Sequence, residues 1–130
     1  MSTYVYTLSP ESLVLDAWAR MNEFEIKQMP VVNKDGEVIS ILSEHEIQRF
    51  LITQRVSEQP LKTCQVKDVM RNDVITAEPV ASLRRIARAI LEYQQPGMPV
   101  VDSRNTLVGF VSQGDILRSL AREPHLSLWS

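Results

Sequence analysis

The chain has 130 residues, 44% of them apolar and 23% charged, with a formal net charge of -2. That length fits one globular module with a real core, and the composition fits a folded chain rather than a disordered one. Fourteen basic residues against sixteen acidic ones leave no cationic excess for a phosphate backbone, which excludes non-specific nucleic-acid binding.

In chain order, Met1–Tyr6 lacks the basic stretch and apolar core of a signal peptide. Tyr4 to Leu8 reads as a weak strand, and Leu13, Ala17, Met21 and Phe24 mark a helix. Met29–Val32 and Glu37–Leu42 read as strands joined through Asp35-Gly36, a hairpin signal. Ile47, Phe50 and Leu51 mark the helix that closes a first unit over residues 1–57. Residues 58–72 are read as a connecting segment. It holds Cys64, a lone cysteine with no disulfide or zinc partner.

The second unit, residues 73–123, opens with the β-branched stretch Asp73–Thr76. Pro79 opens a helical pattern carried by Leu83, Ile86, Ala87, Ile90 and Leu91. Gly97 ends the connection, Met98–Asp102 and Leu107–Val111 are strands, and Ser103–Thr106 is the turn between them. Ser112–Arg122 reads as a helix with Ile116, Leu117, Leu120 and Ala121 on its apolar side. Residues 124–130 are a tail, with His125 and Trp129 in it. No apolar run reaches the ~18 residues a membrane helix needs, so a cytoplasmic protein with no membrane partner is expected.

Residues 29–47 (MPVVNKDGEVISILSEHEI) and 98–116 (MPVVDSRNTLVGFVSQGDI) align without a gap at an offset of 69. Thr7 and Pro10 meet Thr76 and Pro79 at the same offset, and Ser12-Leu13 meets Ser82-Leu83 after a one-residue slip. Such a repeat fixes the architecture. It predicts an α+β fold of two β-α-β-β-α units packed about a pseudo-twofold axis, with clefts between them of the kind small ligands occupy.

Ser112 and Asp115 are the sharpest polar pair. Ser-x-x-Asp at a helix start reads as a capping box, and Ser43 with Glu46 fits the same box. The same groups suit a ligand, since a carboxylate accepts from a vicinal diol and a helix N-terminus favours an anion. Arg118 shares a helix face with Asp115, while Arg84, Arg85 and Arg88 read as a solvated face. Trp18 reads as core or as a subunit contact, and Trp129 as a docking residue of the tail.

Met-Pro-Val-Val, the hairpin, Leu107-Val108-Gly109-Phe110-Val111-Ser112-Gln113-Gly114-Asp115-Ile116 and Val66-Lys67-Asp68-Val69-Met70 together resemble the CBS domain, the regulatory module named for cystathionine β-synthase, as a tandem pair. The resemblance implies a dimeric disc that binds AMP, ADP, ATP, S-adenosylmethionine or occasionally NAD between its units. Asp115 then accepts from the ribose hydroxyls and Ser112 donates to a phosphate; Gly114 leaves room for the sugar, and Arg118, on the helix face of Asp115, is the further phosphate candidate by its spacing. The adenine lies between Ile75-Thr76-Ala77 and Gly97-Met98-Pro99-Val100, with backbone groups reading the purine edge; Ile75, Met98 and Val100 are equally readable as core. The first unit departs from the pattern, with Ser40 in place of Gly109 and His45-Glu46 in place of Gly114-Asp115, so Ser43 and Glu46 form a degenerate second site.

No Ser-His-Asp ordering, metal constellation or phosphate-cradling glycine loop is present. The expectation is a homodimeric regulatory module with no metal and no catalytic cofactor, acting on a separate protein. The alternative is a dimeric interaction protein whose nucleotide cleft goes unused.

Overall fold

The computed structural model describes residues 6–53, 61–71 and 73–122, which divide between Val74 and Ile75 into two compact units. The first contains α1 (Val14–Phe24), β1 (Gln28–Val32), β2 (Val38–Ser43) and α2 (Glu44–Thr53). The second contains α3 (Leu83–Tyr93), β3 (Gly97–Val101), β4 (Leu107–Ser112) and α4 (Gln113–Arg122). Each boundary in the second unit lies 69 positions after its counterpart in the first. The fold is α+β, and each unit is a helix, an antiparallel hairpin and a second helix.

The repeat extends to individual hydrogen bonds. Leu8 N–H donates to Pro30 O at 2.9 Å and Val32 N–H to Leu8 O at 2.8 Å; Ala77 N–H donates to Pro99 O at 2.9 Å and Val101 N–H to Ala77 O at 2.8 Å. Each leading segment is thereby a single parallel rung on its hairpin, at Leu8 and at Ala77. The strand expected over Tyr4–Leu8 is shortened to the rung at Leu8 (Tyr4 and Val5 lie outside the described residues), and the one expected over Asp73–Thr76 gives way to a rung one residue later, at Ala77. The reason is chemical: the next parallel bond toward the N-terminus would need an N–H from Pro30 or Pro99, and proline has none.

The helix expected from Pro79 starts four residues later. Pro79 sits in a turn closed by Ala81 N–H on Glu78 O, 3.0 Å, and Ser82 is the N-cap, its hydroxyl accepting Arg85 N–H at 3.2 Å. Leu13 holds the N-cap position of α1, so the repeat runs without the slip inferred for Ser12-Leu13. Ser12 instead binds Ser9 through its hydroxyl. Both helices end on a left-handed residue, Glu25 at φ 56° and Gln94 at φ 52°, whose N–H caps Met21 O or Ile90 O. In both hairpin turns a side-chain oxygen, of Asn33 or Asp102, accepts two backbone N–H groups of the turn.

Leu8, Val14, Ala17, Met21, Met29, Val31, Leu42 and Ile47 make the first core, with Trp18 packed against it. Ile86, Ala87, Ile90, Met98, Val100, Val111 and Ile116 make the second. Leu91 and Leu117, expected on apolar faces, are each 66% exposed because they fall at the edge of the buried stripe.

The residues read as connecting pack into the first unit: Cys64 and Val66 are buried in its core. Val14 N–H donates to Cys64 O at 2.9 Å, Val66 N–H to Ser12 O at 2.8 Å and Lys67 N–H to Pro10 O at 2.9 Å. Ser40, fully buried, donates its hydroxyl to Arg71 O at 2.6 Å, which accounts for its presence where the second unit has Gly109. The tail, with His125 and Trp129, lies outside the described residues. Among the described residues no helix is long and apolar enough to cross a membrane.

Candidate functional site

Gly97 pairs with Ser112 across the second hairpin, so the start of α4 lies beside the start of β3. Ser112 Oγ accepts Asp115 N–H at 3.1 Å, and Asp115 Oδ2 accepts Ser112 N–H at 2.8 Å. The capping box is therefore complete, and it occupies only one carboxylate oxygen. The other, Oδ1, accepts from the Arg118 guanidinium. Partial burial pushes the Asp115 carboxyl up, but the Ser112 N–H, the Arg118 guanidinium and the Ser112 hydroxyl outweigh it and hold it below its ordinary value.

Arg118, expected to face phosphate, instead closes on this carboxylate. A Cβ on Gly114 would lie 3.3 Å from Arg118 Nη1, so the room left by that glycine is taken by the arginine. In the first unit Ser43 Oγ accepts Glu46 N–H at 3.2 Å. Among the described residues the Glu46 carboxylate returns no bond, and His45 beside it is exposed. The degenerate site thus keeps one arm of the box.

On the purine side, Gln95 organises the residues and was missed in the sequence. Its side chain, 2% exposed, accepts Ile75 N–H on Oε1 at 2.5 Å and donates from Nε2 to Ile75 O at 3.1 Å and to Gly97 O at 2.8 Å. It supplies the ladder bonds that Pro99 cannot. Ile75 was expected to read a purine edge through its backbone; both of its backbone groups are instead engaged by this amide. Thr76, one residue on, turns its backbone to the opposite edge by strand alternation, and among the described residues it makes no hydrogen bond. Gln95 corresponds to Ile26 in the first unit, where Tyr6 stacks on Phe24 at 3.9 Å. A buried polar residue where the repeat places an isoleucine was the available signal.

Gly97, Met98, Pro99 and Val100 are all buried, and Met98 and Val100 belong to the core. A Cβ on Gly97 would sit 2.6 Å from the Phe110 ring. A cavity of about 550 Å³ lies wholly within the second unit, between the Ile75–Ala77 segment, Met98 and the face of α3 that carries Ser82, Arg85 and Ile86. Of the expected nucleotide contacts it takes in Ile75, Thr76 and Met98. Gly97, Pro99, Val100, Ser112, Asp115 and Arg118 do not line it. Among the described residues no group of three potential metal ligands comes together.

The CBS domain model matches residues 1–53 and 66–122, most of the sequence, and the chain belongs to the CBS domain family. It is 29% identical over 117 residues to the CBS domain-containing protein YhcV of Bacillus subtilis, covering 89% of this chain and 79% of that one. It also matches inosine-5'-monophosphate dehydrogenase of Methanocaldococcus jannaschii at 27% identity over 114 residues, but spans only 21% of that enzyme's length. Among solved structures, a protein with CBS domains from Burkholderia ambifaria superposes with a TM-score of 0.82 at 26% identity, covering 96% of this chain and 88% of that one. The CBS domain pair of MJ0100, solved with 5'-methylthioadenosine and S-adenosyl-L-methionine, gives 0.81 at 24% identity, with 92% and 93% covered. CBSX2 in complex with AMP gives 0.77 at 21% identity, with 91% and 88% covered. These last two likenesses establish the shared fold.

Proposed function

We propose that this chain is a non-catalytic regulatory module. It binds an adenosine-containing ligand at the start of α4 and signals through a homodimer to a separate protein in the cytoplasm. The observation that carries the reading is the division of labour on Asp115. Oδ2 is committed to the helix cap, whereas among the described residues Oδ1 is held only by Arg118, whose side chain is 62% exposed. A ribose diol can take over Oδ1 without dismantling the helix start. The displaced guanidinium then becomes available to an anionic group of the same ligand. The carboxylate is ionised at neutral pH, the state that accepts from two hydroxyls. MJ0100 and CBSX2, which hold adenosine compounds, share this fold and support the choice of ligand class. Binding shifts a module between states only through differential affinity, so the ligand must prefer one arrangement of the dimer.

The test is a thermal-unfolding panel with AMP, ADP, ATP, S-adenosylmethionine and NAD at about 1 mM, run on the chain and on Asp115→Asn and Asp115→Ala. A ligand at a hundred times its Kd stabilises by about 2.7 kcal/mol. One compound is expected to raise the midpoint by several degrees, and its affinity to fall at least tenfold in both variants. Asp115→Asn keeps an acceptor for the cap, so it separates ligand loss from a weakened helix. Unchanged affinity in Asp115→Asn would remove the site; no shift with any compound would remove the ligand class.

A further inference from the structure

The cavity in the second unit has a counterpart in the first that is already filled, and the filling is peptide. Residues 64–67 cross the start of α1, with Gln65 extended in an antiparallel bridge to Leu13 and Val66–Asp68 forming a short 3-10 helix. They are joined by the bonds Val14 N–H to Cys64 O, Val66 N–H to Ser12 O and Lys67 N–H to Pro10 O, with Cys64 1% and Val66 0% exposed. The offset of 69 maps Val14, Ser12 and Pro10 onto Leu83, Ala81 and Pro79. Among the described residues Leu83 N–H, Ala81 O and Pro79 O have no hydrogen-bond partner. They stand at the mouth of the 550 Å³ cavity, which Ala81, Ser82 and Ile86 help to line. One face therefore appears twice, once with residues 64–67 bound and once with the same donor and acceptors unpartnered among the described residues.

We propose that this groove on α3 docks an extended segment of a partner protein that carries small apolar side chains at two alternate positions. The bound template dictates that chemistry. The segment's carbonyl accepts from Leu83 N–H and two of its N–H groups reach Ala81 O and Pro79 O, while its apolar pair enters the cavity over Ile86 and Met98, as Cys64 and Val66 enter the first core. A second copy of this chain is a poor source. Its one segment of this kind, residues 64–67, is held in its own first unit by three backbone bonds and the buried side chains of Cys64 and Val66. The groove shares Ile75, Thr76 and Met98 with the expected adenine contacts, whereas Ser112, Asp115 and Arg118 lie outside it, so peptide binding is tested without nucleotide and separately from the Asp115 variants.

The experiment titrates a reduced synthetic peptide with the sequence of residues 61–70 into the full chain without nucleotide, following backbone amides by NMR and hydrogen exchange. Saturable binding is expected, with Leu83 N–H slowed at least tenfold toward the protection of Val14 N–H. A peptide carrying Val66→Asp should bind at least tenfold more weakly, and that variant leaves the folding of the chain untouched. The proposal is overturned by absence of binding at millimolar peptide or by binding that leaves Leu83 exchange unchanged. A Leu83 amide as protected as Val14 in the free chain also overturns it, because the groove would then be filled by this chain or a second copy.

Discussion

Asp115 shows how one side chain carries two readings that the sequence leaves superimposed. Ser-x-x-Asp predicts a capping box, and the box is complete; the resemblance predicts a ligand carboxylate, and one oxygen remains exchangeable. Spacing alone could not divide the two oxygens, since that depends on where Arg118 reaches. The lowered carboxyl makes a signed prediction. A folded-state value below the ordinary aspartate value of about 3.9 gives stability that is present above that value and is lost as pH falls through the folded one. Urea unfolding of the chain and of Asp115→Asn between pH 7 and pH 2.5 should therefore show a gap that is constant down to about pH 5 and closes below it. A gap independent of pH would mean the ion pair contributes nothing. Gly97 is a second residue whose role depends on a distant partner. A Cβ there meets Phe110, whereas the first unit has Gln28 and Ile41 at the same two positions of the repeat.

At the scale of elements, helices and hairpins were legible and the leading strands were not. Helix and hairpin positions follow from apolar spacing and turn residues, which are local. The rungs at Leu8 and Ala77 are limited by Pro30 and Pro99 some twenty residues away, a constraint no window around Tyr4–Leu8 or Asp73–Thr76 contains. The slip inferred at Ser12 arose because two serines match by identity, while the N-cap position is set by the helix and falls on Leu13 and Ser82. Gln95 joins the extended segment to β3 where the proline interrupts the ladder. Gln95→Leu keeps a similar volume and leaves Ile75 N–H, Ile75 O and Gly97 O without partners, at a cost of about 2–4 kcal/mol. Equilibrium urea denaturation measures it, and a loss under about 0.5 kcal/mol would show that water replaces the amide.

Over the whole molecule, the repeat determines where equivalence holds and where it ends. Every α-helix and strand of the first unit has its partner 69 residues on, yet one unit has a chain segment across the start of its first helix and the other has a cavity there. Composition and periodicity could not show this difference, because residues 61–70 have no periodic pattern of their own and are drawn into a core by contacts distant in sequence. Their single thiol turns that docking into something that can be timed. Burial, and then the nearby Asp68 carboxylate, push the Cys64 thiol up and disfavour the reactive thiolate, so alkylation waits for the segment to lift. Labelling of the native chain should run orders of magnitude slower than labelling in denaturant. Val66→Ala removes about 1.6 kcal/mol of burial and should quicken it roughly tenfold if lifting is local. Equal rates for native and denatured chain would mean that the segment is not seated. The ratio of the two rates is then a clock on the segment, which reads how often residues 61–70 leave the first unit and how firmly any segment of this kind is held.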